Sequence, residues 1–200
     1  DGSFYFGVGL CRYANLGILD CSLSLAIDGH QYAFHGSRRA PHEPTDTAVG
    51  PFALQILEPM GRHRVVIEAN ATGITCDLVF TPRTACIEEG RQTLRNERHI
   101  VMDATRLDQF GFWSGWIRYD GRELKVDGRT TFGLKDRSWG IRPVGEAYTG
   151  GAPLAEFQAL HFCWMPIHWE NECSLAGWFE DGAGHQWHND QAFLPHYPSM

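Results

Sequence analysis

No apolar run in this 200-residue chain approaches the roughly 20 residues that a membrane-crossing helix requires. No run of lysine or arginine is long enough to track a phosphate backbone, and the formal charge of -7 opposes one. Neither a membrane span nor nucleic-acid binding is therefore expected. The nearest basic cluster, Arg38-Arg39, follows Ser37 and precedes Pro41, and reads as a solvated loop. The six cysteines form no Cys-x-x-Cys pair. Several fall at apolar strand positions, which points to buried free thiols in a reducing compartment, and hence to a cytoplasmic protein.

Other absences bear on chemistry. There is no glycine-rich phosphate loop opening a helix, no Gly-x-Ser-x-Gly elbow and no paired-cysteine metal motif, which removes phosphoryl transfer, serine hydrolysis and dinucleotide redox chemistry. No cofactor is expected. His185 and His188, in His-Gln-Trp-His, would point to opposite faces of a strand and chelate poorly, so no metal is expected either. A signal-peptide pattern is missing, yet the chain opens at Asp1 without an initiator Met, as in a processed or partly observed protein.

What the chain does have is alternation. From Asp20 to Asp28, Cys21, Leu23, Leu25 and Ile27 alternate with polar or small residues, the pattern of a strand with one buried face. Asp28-Gly29 then leads into His30 to Phe34, and Asp-Gly between two strand-like runs predicts a hairpin. Asp120-Gly121 and Asp181-Gly182 repeat the signal. Further strands are expected at Phe52–Leu57, His63–Ala69, Ile74–Thr81, Phe112–Tyr119, Thr130–Ser138 and Phe157–Trp164. Only Ala85–Ile100 resembles a helix or long loop, weakened as a helix by Gly90. Many strands and turns with almost no helical period predict an all-β antiparallel barrel or sandwich.

The domain expectation is a β domain over 1–142, a linker over 143–153 rich in glycine and bounded by proline, and 154–200 either completing the first sheet or opening a second β domain. Seven tryptophans are many for this length. Trp113, Trp116, Trp139 and Trp164 would pack sheets or line an apolar pocket for a hydrophobic small molecule. Tyr119 could lend such a pocket a hydroxyl, and His161, alternating with Cys163 and Met165, could face it.

The informative stretch runs from Thr130 to Arg142. In one strand register Phe132 and Leu134 share a face with Asp136, Ser138 and Arg142, so Asp136 would enter an apolar interior. A carboxyl group buried there holds its proton unless it gains a cation or strong donors, which is one route to a general acid at neutral pH. A structural carboxylate tied to amides or to an arginine is the competing reading.

The run Asp136-Arg137-Ser138-Trp139-Gly140-Ile141-Arg142 resembles the Asp-His-Ser-Trp-Gly-x-Arg signature of the lipocalin-like proteins that include carotenoid 1,2-hydratase (hydroxyneurosporene synthase), attachment-related bacterial proteins and some fungal Diels-Alderases. Ser114-Gly115-Trp116 and Leu54-Gln55-Ile56-Leu57-Glu58-Pro59 support the likeness, which spans most of Gly17 to Arg142. It implies a lipocalin-like (calycin-type) barrel within a tandem two-barrel architecture, with the ligand within or between the barrels. It carries over Asp136, Trp139 and Arg142, but not the family's His, which is Arg137 here. The resulting expectation is a cofactor-independent lyase or isomerase, hydratase-like or cyclase-like, acting on an apolar molecule such as an isoprenoid. Asp136 would move the proton and Arg142 would orient a polar substrate group. The alternative is a non-catalytic carrier for the same class of ligand. Oligomeric state is left open.

Overall fold

The computed structural model describes residues 2–96, 98–141 and 161–198. Fourteen strands occupy them: β1 Phe4–Tyr13, β2 Ile18–Ile27, β3 His30–Arg39, β4 Phe52–Ile56, β5 His63–Ile67, β6 Thr75–Pro82, β7 Ile87–Glu88, β8 Gln92–Asn96, β9 His99–Tyr119, β10 Arg122–Val126, β11 Phe132–Ile141, β12 His161–His168, β13 Glu172–Glu180 and β14 Gln186–Pro195. The pairings β1–β2, β2–β3, β4–β5, β5–β6, β7–β9, β8–β9, β9–β10, β12–β13 and β13–β14 are antiparallel, and no helix occurs among the described residues. The fold class is all-β, as the alternation requires. Among the described residues the hydrogen-bonded ladders are open sheets and do not close into a barrel.

Two compact units divide the chain: Asp1–Thr81 with Phe112–Thr131, and Pro82–Gly111 with Phe132–Met200. The second is interrupted in sequence by part of the first. The expected linker at 143–153 lies outside the described residues.

In the first unit, β1-β2-β3 form one sheet, and β10, the C-terminal part of β9, β6, β5 and β4 form another. Leu19, Cys21, Leu23 and Leu25 of β2 are buried, as period two demands, and face a shared core with Phe52, Val65, Ile67, Cys76, Leu78 and Ile117. Full burial of each such side chain contributes about 1.5–3 kcal/mol. The turns follow local chemistry. Asp28 and Gly29 have φ of 53° and 74°, and Asp120 and Gly121 have 47° and 70°, the doubly positive pair of a two-residue hairpin whose twist matches its strands. Asp181-Gly182 instead opens a longer loop, in which the Asp181 carboxylate accepts from the Ala183 and His185 backbone N–H groups at 2.8 and 2.9 Å.

In the second unit, β7, β8 and β11 pair with β9, and β12-β13-β14 form a three-stranded sheet. The segment expected as a helix or long loop, Ala85–Ile100, holds β7 and β8 and enters β9. β8 pairs with the start of β9, Asn96 opposite His99, and β7 pairs further along the same strand, Ile87 opposite Asp108. The buried apolar cluster of this unit is small: Phe110, Cys173, Leu175 and Leu194, with Ile87, Leu134, Trp164 and Ala192 packed against it. Beside Ala104 and Phe179, the second unit also buries the polar side chains of Thr84, Glu89, Gln92, Asp108, Gln109 and His188, and the candidate site lies among these.

Candidate functional site

Strand β9 places Arg106, Asp108 and Phe110 on one face, two residues apart. Phe110 joins the apolar cluster, so Asp108 follows it inside and is 0% exposed. Just past β7, the Glu89 backbone N–H donates to the Arg106 carbonyl at 2.9 Å, which fixes Glu89 beside this stretch. Glu89 is 4% exposed. Its carboxylate accepts from Trp164 Nε1 of β12 and from Gln92 Nε2 of β8, each at 3.0 Å.

Asp108 has a different environment. Neither of its oxygens has an N–H or hydroxyl partner among the described residues; the group that faces it is the Glu89 carboxyl. Burial first, then the hydrogen bond and charge of Glu89 and the charge of Asp136, push the Asp108 carboxyl up to about 9, against the pull of Arg106. Two carboxyl groups this close hold together only by sharing a proton. Glu89 already accepts two N–H donors, so it serves as the acceptor and Asp108 carries the proton.

Arg106 and Asp136 connect this pair to the surface. Arg106 Nε lies 3.4 Å from Asp136 Oδ1, with side chains 15% and 39% exposed, and its guanidinium sits 5.7 Å from the Trp164 ring centre. The Arg106 Nε–H is not aligned for a hydrogen bond with any described group. Across the cluster, Asp190 of β14 accepts from the Gly90 N–H, and His188 of the same strand is 9% exposed with Nε2 unpartnered among the described residues.

Elsewhere in the second unit, His168 is held neutral. Its Nε2 lies 3.2 Å from the Gly133 carbonyl, and burial lowers the imidazole to about 4. Arg83 Nη1 and Cys173 Sγ approach its other nitrogen at 3.4 and 3.6 Å, and Phe110 and Phe132 flank the ring. Lys135 bonds Gln109 Oε1, and burial lowers its ammonium. No group of three or more His, Cys, Asp or Glu suited to a metal ion occurs among the described residues.

The whole sequence, residues 1–200, matches the family of unknown function DUF8625. The chain belongs to that family. No curated protein matches it. Among solved structures, it resembles a Nitrosomonas europaea protein whose description assigns it provisionally to AttH, with 17% identity and a TM-score of 0.66, over 95% of this chain and 59% of that one. The chain thus spans about three-fifths of that protein's length. This is a likeness of fold alone. It does not single out the hydratase.

For this member of DUF8625, the residues expected from sequence separate into two groups. Trp113, Trp116 and Tyr119 belong to the first unit. Trp113 packs edge-on against Phe6 and Phe80 at 5.6 and 5.4 Å; Tyr119 is buried against Tyr32; Trp116 lies under the Arg118 guanidinium. Asp136, Trp139, His161 and Trp164 belong to the second unit. Trp164 reaches the carboxyl pair, whereas Trp139 and His161 are exposed, and Arg142 lies outside the described residues.

The expected burial of Asp136 requires correction. Phe132, which was to mark the inward face of β11, is 55% exposed, and Asp136 is exposed beside Arg106. Its neighbours on the strand therefore supply no apolar enclosure. The buried acid is Asp108, on the adjoining strand. Arg106 and Asp108 escaped sequence reading because β9 was taken to begin at Phe112, Glu89 fell in the segment read as a helix or long loop, and His188 was weighed only as a metal ligand. Extending its alternation upstream through Phe110, Asp108 and Arg106 would have exposed a carboxyl group following a core phenylalanine inward.

Proposed function

We propose that this protein is a cofactor-independent acid–base catalyst, a lyase or isomerase acting on an apolar small molecule, with Asp108 as the proton-bearing group. The observation that carries this reading is the meeting of two carboxyl groups, Asp108 and Glu89, at 0% and 4% exposure. A structure that needed only stability would not bury this pair, since desolvating even one carboxylate is costly unless it is paired and hydrogen-bonded. Held as acid and acceptor, the pair can give a proton to a carbon or oxygen of the substrate and take one back. Glu89, anchored by Trp164 and Gln92, fixes the direction of the shared proton. Asp136 and Arg106 offer a path for its exchange with solvent. Phe110, Leu175 and Leu194 form the packed apolar core beside the pair.

The test begins with protein purified from its own host and examined by native mass spectrometry, which identifies a co-purified apolar molecule. Asp108→Asn is then expected to lower turnover of that molecule by about a hundredfold or more, with the circular dichroism spectrum retained. Asp136→Asn is expected to lower it less. Full turnover in Asp108→Asn rejects the reading. Retention of an unchanged molecule by wild type and both variants, without conversion, assigns the carrier role instead.

A further inference from the structure

A thiol and an amine meet on the face of the second unit opposite its apolar cluster. β7 and β11 both pair with β9. Ile87 of β7, in register with Asp108, and Leu134 of β11 pack against the cluster around Phe110. Alternation along each strand therefore turns Cys86, Gln109 and Lys135 to the other face. Cys86 precedes Ile87 by one residue and so stands level with Gln109, and the Lys135 ammonium donates to Gln109 Oε1. The other end of that amide, Nε2, donates to the Thr84 carbonyl at 3.2 Å. Gln109 is 0% exposed and held at both ends, so it draws Lys135 across β9 toward the segment that carries Cys86. A single amide group separates the Lys135 ammonium from the backbone two residues before Cys86.

Both groups are half-buried, which leaves them open to a small solute but not to a protein partner. Burial raises the Cys86 thiol, against the pull of the Lys135 charge, and lowers the Lys135 ammonium. Each is discouraged from ionising alone, so charge appears here by passing one proton from sulfur to nitrogen. That transfer makes a thiolate, the form of cysteine that peroxides oxidise. Neither side chain takes part in the carboxyl pair.

We propose that Cys86 and Lys135 form a modification site at which hydrogen peroxide drives a sulfur–nitrogen crosslink between the start of β7 and β11. The Lys135 amine takes the thiol proton, the Cys86 sulfur attacks one peroxide oxygen, and the oxygen–oxygen bond breaks. The departing hydroxide takes the proton back from Lys135 and leaves as water, giving a sulfenic acid beside a neutral amine. The amine nitrogen then attacks sulfur, the sulfur–oxygen bond breaks, and a second water leaves with a hydrogen of the amine. Sulfur loses two electrons and the peroxide gains them. Two equivalents of an added thiol reverse the bond, restoring both side chains and forming the disulfide of the reductant. The crosslink spans β9 beside Asp108, which makes it a means of stiffening the strands that carry the acid pair.

The chain has two lysines, Lys125 and Lys135, so a lysine-specific protease cuts it at two places. In a Cys11→Ser background, which removes the exposed thiol, folded protein is treated with hydrogen peroxide, blocked with a thiol reagent, unfolded and digested. Cutting at Lys125 is expected to be unchanged, and cutting at Lys135 to fall at least about fivefold. Mass spectrometry is expected to find the peptides of Cys86 and Lys135 joined and lighter by two hydrogens, with dithiothreitol before digestion restoring the cut. Lys135→Arg, which keeps a donor toward Gln109, is expected to abolish the crosslink and leave Cys86 as a sulfenic acid that reacts with dimedone. Cys86→Ser is expected to leave Lys135 open to the protease. Complete cutting at Lys135 in the oxidised protein overturns the proposal, whether Cys86 ends as sulfinic acid, a disulfide or a free thiol. Blocked cutting in Cys86→Ser, or a Lys135 joined to another cysteine, overturns it as well. None of these outcomes bears on turnover in Asp108→Asn, so the acid–base reading is decided separately.

Discussion

Asp108 and Glu89 meet inside the second unit as carboxyl and carboxylate, one with no N–H donor and the other with two. That asymmetry assigns the shared proton to Asp108, and it has a stability consequence that can be measured without knowing a substrate.

The Asp108 carboxyl titrates at about 9 in the fold against 3.8 when unperturbed. Between those values the folded protein holds a proton that the unfolded chain releases, so stability falls as pH rises through that window. Asp108→Asn keeps a donor toward Glu89 and removes the titration. Urea unfolding should find the variant more stable than wild type by about 2 kcal/mol or more at pH 8.5, with the gap closing toward pH 5. An unchanged gap across that range would mean that Asp108 is ionised in the fold.

His168 acts in the opposite direction. Its folded value, about 4, lies below the ordinary 6.5 because burial penalises the imidazolium. Its contribution is complete above pH 6.5 and is lost as pH falls from there toward 4, amounting to about 1 to 3 kcal/mol. His168→Gln should flatten that part of the acid unfolding profile, and the His168 ring should show no titration by NMR between pH 7 and 5.

Gly115 and Gly140 have φ of 128° and 129°, and a side chain on either would be driven into the backbone carbonyl of the next strand, at Asp77 and Asp103 respectively. Each unit thus uses a Trp-flanked glycine where strands pass backbone to backbone. Alanine at either position should cost about 3 kcal/mol or more, read as a shift in the urea midpoint. Gly184→Ala, with φ of 84° but open space around it, should cost only the roughly 1 to 2 kcal/mol of left-handed strain.

The cysteines separate by exposure. Cys11 is exposed, whereas Cys21, Cys76 and Cys173 are buried, and burial pushes the Cys76 thiol up to about 12. A disulfide reagent at pH 8 should label Cys11 in the folded protein and reach those three only on unfolding. Rapid labelling of Cys76 in native buffer would contradict the packing of the first unit.

Much of this was legible from local pattern. Alternation at Cys21, Leu23, Leu25 and Ile27 sufficed to place β2 and its buried face, and Asp28-Gly29 and Asp120-Gly121 sufficed for two hairpins, because side-chain period and positive φ are properties of a few neighbouring residues. The all-β class follows from the same local rules. What tertiary structure alone decided is the arrangement of the acid site. Strand alternation says that Asp136 shares a face with Leu134, but not whether that face is covered; coverage depends on which strands lie over it. The carboxyl pair joins Glu89 and Asp108 through the ladder of β7 with β9, and its anchor Trp164 arrives from a sheet more than fifty residues further along the chain. Burial and proton affinity are properties of surroundings assembled from distant segments, so the residue type was readable from the sequence while its chemistry awaited the fold.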